Sequence, residues 1–257
     1  MPTQITIKYS KIMRQKLLWM HFETNIGHIG GNLSSIDIML LLWHEFIGKY
    51  DQFFLSKGHS AGALYIALWS KNILSDNSLK TFHGDDTLLP GHPPPNIYKE
   101  IPFATGSLGH GLSLAAGSAL AKKLKGTNEQ IYCLTSDGEW QEGSTWEALI
   151  FLAHHKLKNL TIFIDQNSLQ GFGNVDDISS MDNLEAKLKG FDIKIITCNG
   201  HDFEEMRKAI TVRTEIPKII ILKTIKGKGV SFMENDFKWH YLPMSEGQYK
   251  QAIKELS

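Results

Sequence analysis

Residues 131–167 read IYCLTSDGEWQEGSTWEALIFLAHHKLKNLTIFIDQN and contain two strand-like runs separated by a helix-like run. The runs at 131–136 and 160–165 are short and apolar, as buried strands are, whereas residues 144–156 repeat apolar side chains at helical spacing. A strand, a helix and a second strand in this order are typical of two parallel strands joined by a crossover helix.

The same alternation continues on both sides of this stretch. Predicted strands lie at 51–56, 191–197 and 218–223, and predicted helices lie at 58–69, 109–125, 182–189 and 202–212. Apolar strands that alternate with amphipathic helices indicate an α/β fold, with a parallel sheet and helices on both faces. Ligands of such sheets bind beyond the carboxyl ends of the strands, so the loops after Ser136, Asp165, Thr197 and Lys223 are the candidates for a site.

Two further helices are predicted before the first strand, at residues 8–22 and 33–46. Asn32 or Ser34 is the expected cap of the second helix. The residues between the two helices, TNIGHIGG (24–31), are rich in glycine and are expected to form a loop.

Residues 85–103 hold five prolines, which predicts a long loop without helix or strand. A loop of this length indicates a functional role or cover by a partner. The sequence contains no evident repeat or linker. We therefore expect one domain, residues 1–257, with an N-terminal helical extension.

The composition excludes several classes of protein. Lys plus Arg and Asp plus Glu each total 27, so there is no net charge that would attract nucleic acid or an anionic membrane. Cys133 and Cys198 lie in apolar strand-like runs, without the spacing of a zinc site or a disulfide framework. The N-terminus is too polar for a secretory signal, and no apolar run reaches the roughly 18 residues of a membrane span. We expect a cytoplasmic protein.

Asp137 and Gly138 directly follow the run that ends at Ser136, and Asn167 lies just after the next run. If these strands are adjacent, a carboxylate and a carboxamide meet at one edge of the sheet, and such oxygen ligands suit Mg²⁺ that bridges a diphosphate. Gly138 lets the backbone approach phosphate groups, which a helix start also favours. Because an Asp-Gly pair alone is more typical of a turn, this prediction depends on its combination with Asn167.

Beyond the stretch that carries Asp137 and Asn167, five blocks of the sequence resemble transketolases, which use thiamine diphosphate. The blocks are NIGHIGGNLSSIDIMLLLW (25–43), DQFFLSKGHSAGALY (51–65), LPGHPPP (89–95), ATGSLGHGLSLAAGSALA (104–121) and KTIKGKGVSFMEN with WH (223–235 and 239–240). They occur in the order of the family, and residues 136–170 resemble the stretch with its motif, Gly-Asp-Gly followed later by Asn. The resemblance implies the diphosphate-binding (PP) domain of a transketolase, with thiamine diphosphate and Mg²⁺ as cofactors.

The resemblance also implies roles for individual residues. Asp137, Asn167 and the backbone carbonyl of Leu169 would bind Mg²⁺. The implied cofactor-binding residues are His59, Gly106, Ser107, Leu108, Asp137, Gly138, Glu142, Asn167 and His240. Glu142 and Glu147 match acidic positions of the family at the dimer interface, where they help to connect the two cofactors.

Eleven histidines are present, and most are interpreted as surface or packing residues. His201 follows a predicted strand, where a role beside the site and a role in loop structure are equally consistent with the sequence. His28, His92 and His240 match positions that face the hydroxyl groups of the sugar donor, so the resemblance implies that they are catalytic. An imidazole with its ordinary pKa of about 6.5 can donate, accept or move a proton at neutral pH.

The implied reaction transfers a two-carbon ketol unit from a ketose to an aldose, with thiamine diphosphate supplying the carbanion chemistry. The glutamate that activates this cofactor lies, in the family, in a pyrimidine-binding domain that follows the part seen here. We therefore expect the N-terminal subunit of a split transketolase, inactive alone. Its partner would be a separate C-terminal subunit with the pyrimidine-binding domain. Self-association through the PP domain would then give a heterotetramer.

Departures from the family pattern leave the substrate open. Ser136 replaces the first glycine of the motif, and His110 stands where many transketolases have glutamine. Residues 93–95 are prolines near the sugar channel, and residues 171–173 read Gly-Phe-Gly in place of a more typical Asp-Gly stretch. The substrate is a sugar or a sugar phosphate.

Two other readings remain open. The first is a subunit of another thiamine diphosphate enzyme: a 2-oxoacid dehydrogenase or decarboxylase, a deoxyxylulose-phosphate-synthase-like enzyme, or a two-carbon transferase of a specialised sugar pathway. Several histidines that face the donor favour a polyhydroxylated ketose over a 2-oxoacid. The second reading is a non-catalytic scaffold half, against which the joint presence of Asp137, Asn167, His28, His59 and His92 argues.

Overall fold

The apolar runs of the sequence form a parallel sheet. The computed structural model describes residues 4–95, 97–181 and 183–257. Within these residues the strands are β1 (Gln52–Leu55), β2 (Ile131–Ser136), β3 (Leu160–Gln166), β4 (Leu169–Gln170), β5 (Gly173–Asn174), β6 (Lys194–Asn199) and β7 (Lys218–Lys223). Five of them form one parallel sheet in the order β1, β2, β3, β7, β6, and β4 pairs with β5 as a short antiparallel hairpin. The predicted parallel sheet is confirmed.

The register of β2 and β3 explains how the two parts of the candidate metal site meet. These strands are direct neighbours, and Ser136 pairs with Asp165. Because both strands run in the same direction, their carboxyl ends lie at one edge of the sheet. Asp137 and Asn167 therefore leave the sheet side by side.

Helices cover both faces of the sheet, as expected. They are α1 (Ile7–Glu23), α2 (Ile29–Leu41), α3 (Ala61–Ser70), α4 (Asp76–Lys80), α5 (Gly111–Leu124), α6 (Gly143–His154), α7 (Val175–Ile178), α8 (Leu184–Leu188), α9 (Phe203–Thr211) and α10 (Glu246–Leu256). Leu134 of β2 packs into an apolar cluster with α1, α2, α3, α9 and α10, whereas Cys133 packs into a cluster with α5, α6 and α8. The alternation follows from strand geometry, and each buried leucine or isoleucine contributes roughly 1.5–3 kcal/mol.

The second helix begins earlier than the sequence pattern predicts. α2 starts at Ile29, and the residue before it is His28, with a left-handed φ of 62°, so neither Asn32 nor Ser34 is its cap. Gly30 and Gly31 lie inside the helix because they permit close packing there. A Cβ at Gly30 would lie 3.1 Å from Cγ of Lys226. The helix start is thereby pressed against the candidate site. At the other end α2 passes into one π-helical turn, 42–46.

The boundary between α8 and β6 differs from the predicted one. The predicted helix 182–189 begins at a residue outside the described ones, and α8 spans Leu184–Leu188. The predicted strand 191–197 starts three residues too early. The amide of Phe191 bonds to the carbonyl of Leu188 and the amide of Ile193 to that of Phe191, so these residues form a turn after α8. The strand ladder begins only at Lys194.

Some elements were not predicted. α10 begins with a capping box between Ser245 and Gln248, and the hairpin of β4 and β5 follows the predicted metal loop. The described residues of the proline-rich segment 85–103 contain neither helix nor strand, as predicted. No helix in the described part of the chain has both the length and the hydrophobicity needed to cross a membrane.

Candidate active site

A cleft of about 290 Å³ lies at the carboxyl ends of β2 and β3. The structure brings most of the predicted site residues to it: His28, His59, His92, Gly106, Leu108, Asp137, Gly138, Asn167, Leu169 and His240. Ser107 and Glu142 are exposed and lie outside the cleft lining, and their roles stay predictions, as does that of the exposed Glu147. The loops after Ser136 and Asp165 form its floor, as the topology of the sheet predicts.

The floor of the cleft presents oxygen atoms held by short turns. Asp137 is 3% exposed, and its carboxylate accepts hydrogen bonds from the amides of Gly138 at 2.8 Å and Ser168 at 2.6 Å. The side-chain oxygen of Asn167 accepts a bond from the amide of Leu169 at 3.1 Å. Amides of the loop after β3 thus hold both side chains, and the amide of Gly138 also holds Asp137.

The charge of Asp137 is poorly balanced by the protein itself. Burial and the negative charge of Asp165 raise the pKa of Asp137 to about 6, although its two backbone hydrogen bonds and Lys57 act in the opposite direction. A cation beside the carboxylate would favour its ionised form. The carboxylate of Asp137 is therefore suited to bind a cation.

Behind the floor lies a buried ion pair between Lys57 and Asp165, whose side chains are 1% and 0% exposed. Asp165 also accepts hydrogen bonds from Ser34 at 2.6 Å, from Ser35 at 3.0 Å and from Thr224. Burial alone would raise the pKa of Asp165, but Lys57 and the hydroxyls of Ser34 and Thr224 lower it below its usual value. Lys57 lines the cleft, so its charge faces the same cavity as Asp137.

Lys226 is a second buried cation of the cleft. It is 2% exposed, and its Nζ donates to the carbonyl of Leu169 and contacts Nδ1 of His240, each at 3.1 Å. Burial and the charge of Lys57 lower the pKa of Lys226 to about 8. Lys226 thus links Leu169, in the loop after β3, to His240.

His201 supports the segment that carries Lys226 and does not line the cleft. Its Nε2 accepts a hydrogen bond from the amide of Ile225 at 2.9 Å, so Nδ1 carries the proton that it donates to Asp37 at 2.8 Å. Asp37 is also bound by Arg14 at 2.7 Å. The structure thereby decides between the two readings of His201 in favour of loop structure.

Four imidazole rings form one wall of the cleft. The ring centroid of His28 lies 5.0 Å from that of His240, 5.9 Å from that of His59 and 6.2 Å from that of His92. The amide of His28 donates to the carbonyl of His240 at 2.9 Å, which ties the start of α2 to the C-terminal part of the chain. Nδ1 of His28 is buried and has no partner among the described residues. It is available to a ligand.

These histidines do not have the ordinary pKa assumed from the sequence. Burial lowers the pKa of His28 to about 4 and that of His240 to about 3, and His92 and Lys226 among others add to these effects. Burial also lowers the pKa of His59 and His92. The rings are therefore neutral at pH 7, able both to donate and to accept hydrogen bonds.

Two glycine-containing loops cross above this wall. A Cβ at Gly58 would lie 2.7 Å from the amide nitrogen of Gly106, and one at Gly106 would lie 2.9 Å from Cδ2 of His92. Gly106 also has a φ of +146°, which side chains rarely adopt. The loops that carry His59 and Leu108 can approach each other only because both positions are glycine.

Sequence reasoning missed several residues that define this site. Lys57, Lys226 and Tyr241 line the cleft, and Asp165 and Glu139 hold its loops from behind. Glu139 is fully buried and accepts hydrogen bonds from Ser56 and from the amides of Gly109 and Ser136. Most of their partners are distant in sequence, so local spacing does not indicate these roles. One pattern in the sequence could have indicated them: charged residues at the ends of apolar runs are rarely buried without a partner, so each such residue suggests a buried ion pair or hydrogen bond.

Comparison with known proteins connects this geometry to a family. The sequence model described as "Transketolase, thiamine diphosphate binding domain" matches residues 13–257. The chain belongs to the transketolase family. This match confirms three predictions from the sequence: the transketolase family, its thiamine diphosphate-binding fold and its class of transferase.

Relatives of two lengths are found within the transketolase family. An apulose-4-phosphate transketolase subunit of Actinobacillus succinogenes is 34% identical, over 97% of this chain and 95% of the relative. The 6-deoxy-6-sulfo-D-fructose transketolase subunit of a Clostridium species is 33% identical, over 98% of this chain and 97% of the relative. Human transketolase is 36% identical over 90% of this chain, which covers only 38% of the human protein.

Solved transketolase structures agree with the fold. The transketolase of Leishmania mexicana superimposes with a TM-score of 0.89 at 25% identity, over 97% of this chain and 41% of that one. The transketolase of Campylobacter jejuni gives a TM-score of 0.87 at 29% identity, over 98% and 43% of the two chains. This chain thus spans about two fifths of these transketolases.

Proposed function

We propose that this chain is the thiamine diphosphate-binding subunit of a two-chain transketolase, which moves a two-carbon ketol unit from a ketose to an aldose. One observation supports this most strongly. Asp137, Asn167 and four histidines face a single cavity, in a chain that matches the transketolase thiamine diphosphate-binding domain along its length.

The donor groups at the floor of the cleft fit Mg²⁺ and a diphosphate. In the proposal, Asp137, the side-chain oxygen of Asn167 and the carbonyl of Leu169 bind the metal, a set of oxygen ligands that Mg²⁺ prefers. Gly138 lines the same cleft and leaves its backbone open to phosphate groups, whereas a Cβ there would contact Gln170 at 3.6 Å. Lys57 and Lys226 add the positive charge that a diphosphate requires.

The histidine wall fits a polyhydroxylated donor. Thiamine diphosphate supplies the carbanion that cleaves and forms the carbon–carbon bonds. In the proposal, His28, His92 and His240 orient the hydroxyl groups of the ketose and move protons at its oxygen atoms, and His59 lines the cofactor. Neutral imidazoles suit this role because each ring offers one donor and one acceptor, and buried Nδ1 of His28 has no partner among the described residues.

The substrate is proposed only by class. The relatives of similar length are named for apulose 4-phosphate and for 6-deoxy-6-sulfo-D-fructose, both modified sugars. A sugar or sugar phosphate with several hydroxyl groups is compatible with the four imidazoles. Phe172 is 82% exposed and lines the cleft, and the three prolines at 93–95 directly follow His92, so in the proposal these residues adapt the cleft to the substrate of this chain.

The partner in this proposal is a separate subunit with the pyrimidine-binding domain and the activating glutamate. Support comes from the relatives of similar length, which are named as subunits and of which this chain matches 95% and 97%. The complete enzyme is then a heterotetramer.

Self-association is proposed through the surface of α5 and α6. Leu124, Ile150 and Phe151 are 78%, 58% and 39% exposed on these helices. Glu142 and Glu147 lie at the start and on the exposed side of α6. An apolar surface of this kind next to acidic residues is compatible with contact between two copies in which the glutamates approach the cofactors.

Two further parts of the proposal concern organisation and location. We regard residues 1–257 as a single PP domain with an N-terminal helical extension, since α1 and α10 pack on the same apolar cluster as the sheet. A cytoplasmic location is compatible with Cys133 and Cys198, which are buried and free.

Turnover with the partner tests the function. The purified chain is assayed alone and together with the pyrimidine-domain subunit, with thiamine diphosphate, Mg²⁺ and a panel of ketoses and aldoses. The proposal expects ketol transfer by the mixture only. Ordinary turnover by the chain alone would overturn the split arrangement, and cleavage of pyruvate but of no ketose would overturn the choice of reaction.

Calorimetry tests the metal assignment separately. Thiamine diphosphate is titrated into the complex with and without Mg²⁺, for the wild type and for Asp137→Ala, Asn167→Ala and the control Asp192→Ala. Asp192 is exposed and distant in sequence from the cleft residues. We expect the Mg²⁺-dependent affinity to fall at least about tenfold in the first two variants only. Equal affinity in all four proteins would remove the assignment.

A further inference from the structure

Tyr241 occupies the mouth of the cleft, directly after His240 in the chain. Its side chain lines the cavity and is 54% exposed. Its ring centroid lies 4.6 Å from that of His240 and 6.0 Å from that of His28. The phenol therefore stands next to two of the imidazoles that face the donor sugar in the proposed function.

The backbone of Tyr241 is held in place by two loops. Its amide donates to the carbonyl of Lys238 at 3.1 Å. On the other side lies Gly27, where a Cβ would come within 2.2 Å of the carbonyl oxygen of Tyr241. The loop before His28 thus rests directly on the backbone of Tyr241.

The ring of Tyr241 packs over Gly171, in the turn of the hairpin formed by β4 and β5. A Cβ at Gly171 would lie 2.3 Å from the phenol oxygen and 3.0 Å from Cζ. Gly171 does not have a positive φ, so its backbone would accept alanine. A side chain at this position would therefore require the phenol of Tyr241 to move.

The hydroxyl group of Tyr241 makes no hydrogen bond to any described residue of the protein. Because Tyr241 is 54% exposed, this hydroxyl is free to bond to water or to a ligand in the cleft. Here the hydroxyl faces a polar cavity beside neutral imidazoles, where a sugar hydroxyl is the natural partner.

We propose that Tyr241 is a substrate-contacting residue that determines specificity: its phenol hydroxyl bonds to a hydroxyl group of the ketose, and its ring over Gly171 sets the width of the cleft mouth. This inference rests on the proposed function and names the feature of the substrate that the site recognises, a hydroxyl group beyond the transferred two-carbon unit.

The first test removes the hydroxyl alone. Tyr241→Phe and wild type are compared in the complex with the partner subunit, with xylulose 5-phosphate and fructose 6-phosphate as ketose donors and with hydroxypyruvate, which has no hydroxyl group beyond the two-carbon unit. We expect KM for the ketose that the wild type uses to rise about fivefold, as loss of one hydrogen bond predicts. KM for hydroxypyruvate and for thiamine diphosphate, and the melting temperature, should not change. Tyr50→Phe, on an exposed tyrosine outside the cleft, is the matched control.

The second test displaces the phenol without changing it. Gly171→Ala should lower kcat/KM for the ketose in the wild-type background and have no further effect in Tyr241→Ala, because the clash requires the ring. Gly247→Ala, where a Cβ would meet nothing within 4 Å, is the control.

The outcomes separate the inference from the function beneath it. If the wild-type complex transfers a ketol unit from none of these donors and from no ketose of the panel that tests the proposed function, that function fails and the inference falls with it. If the wild type transfers ketol units but Tyr241→Phe leaves KM for the ketose unchanged, or raises KM for hydroxypyruvate equally, only the inference is overturned. Additive effects of Gly171→Ala and Tyr241→Ala would also overturn it.

Discussion

At the scale of single residues, buried charged side chains hold the loops of the site in place. Lys57 and Asp165 are almost fully buried together, and three hydroxyls complete the shell of Asp165. Such a pair is costly to assemble, and removal of one partner leaves the other charge without compensation. The pair fixes the strand end from which Asn167 extends.

Lys57→Met should destabilise the chain by roughly 3–5 kcal/mol, because it leaves Asp165 charged and buried without its partner. Urea denaturation measures this change. Lys158→Met is the matched control, since Lys158 pairs with Glu215 at 2.6 Å on the exposed surface and should cost far less. Equal losses in the free energy of unfolding for the two variants would contradict a larger contribution from the buried pair.

The histidines of the cleft should stay neutral throughout the physiological range. With pKa values of about 4 for His28 and about 3 for His240, neither ring gains a proton between pH 8 and pH 6. Since both values lie below the unfolded pKa of about 6.5, the folded chain binds fewer protons than the unfolded chain, and its stability falls as pH drops below that value.

NMR of the chain with ¹⁵N-labelled histidine, titrated from pH 8 to pH 5.5, measures this directly. The ring signals lost in His28→Gln and His240→Gln identify the two residues. We expect those signals not to shift in this range. A midpoint near pH 6.5 for either ring would contradict the account of burial.

Single residues also show what the sequence can and cannot predict. Asp137 and Asn167 were predictable because each directly follows an apolar run, and adjacent parallel strands bring such positions together. Lys57 and Asp165 were not predictable as a pair, since 108 positions separate them and only packing brings them into contact. The lowered pKa values of the histidines likewise depend on burial, which no local pattern indicates.

At the scale of elements, the cleft exists because loops approach each other through glycine. Gly58 begins the turn that carries His59, and a Cβ there would meet backbone atoms of Gly106 at 2.7 and 2.9 Å. Backbone atoms cannot move aside as a flexible side chain can. The two loops must therefore separate if a side chain is added.

Gly58→Ala should lower the affinity of the complex for thiamine diphosphate by about tenfold or more, because an ångström of displacement in a binding loop has effects of that order. Its backbone angle is ordinary, so strain in the backbone is not the cause. Calorimetry in the presence of Mg²⁺ measures the change, with Gly117→Ala, where a Cβ would meet nothing, as control. Unchanged affinity would contradict the role of this crossing.

Close packing at glycine positions also explains the main error in predicting the secondary-structure elements. Gly30 and Gly31 were interpreted as loop residues because they end a glycine-rich stretch, but they lie inside α2, where the helix packs against Lys226 and His59. α10 was overlooked although its capping box, Ser245 and Gln248, can be found in the sequence. Close packing between distant segments, and not local propensity, decided the first case.

At the scale of the whole molecule, the alternation of strands and helices predicted the layers but not the order of strands. β7 lies between β3 and β6, although β6 precedes it in the chain. Exposure in the structure distinguishes the central strand from the edge strand. β7 is buried along nearly all its length, whereas Lys194, Thr197 and Asn199 of β6 are exposed, as expected of an edge strand. The polar residues of β6 were the available signal.

The central claim is that the edge of this sheet binds the metal and the diphosphate of thiamine diphosphate. Crystals of the complex grown with thiamine diphosphate and Mn²⁺, which scatters anomalously, test it most directly. The account predicts one strong anomalous peak within about 2.2 Å of oxygen atoms of Asp137, Asn167 and Leu169, with phosphate density above Gly138. A peak elsewhere, or a bound diphosphate without metal contact to Asp137 and Asn167, would contradict it.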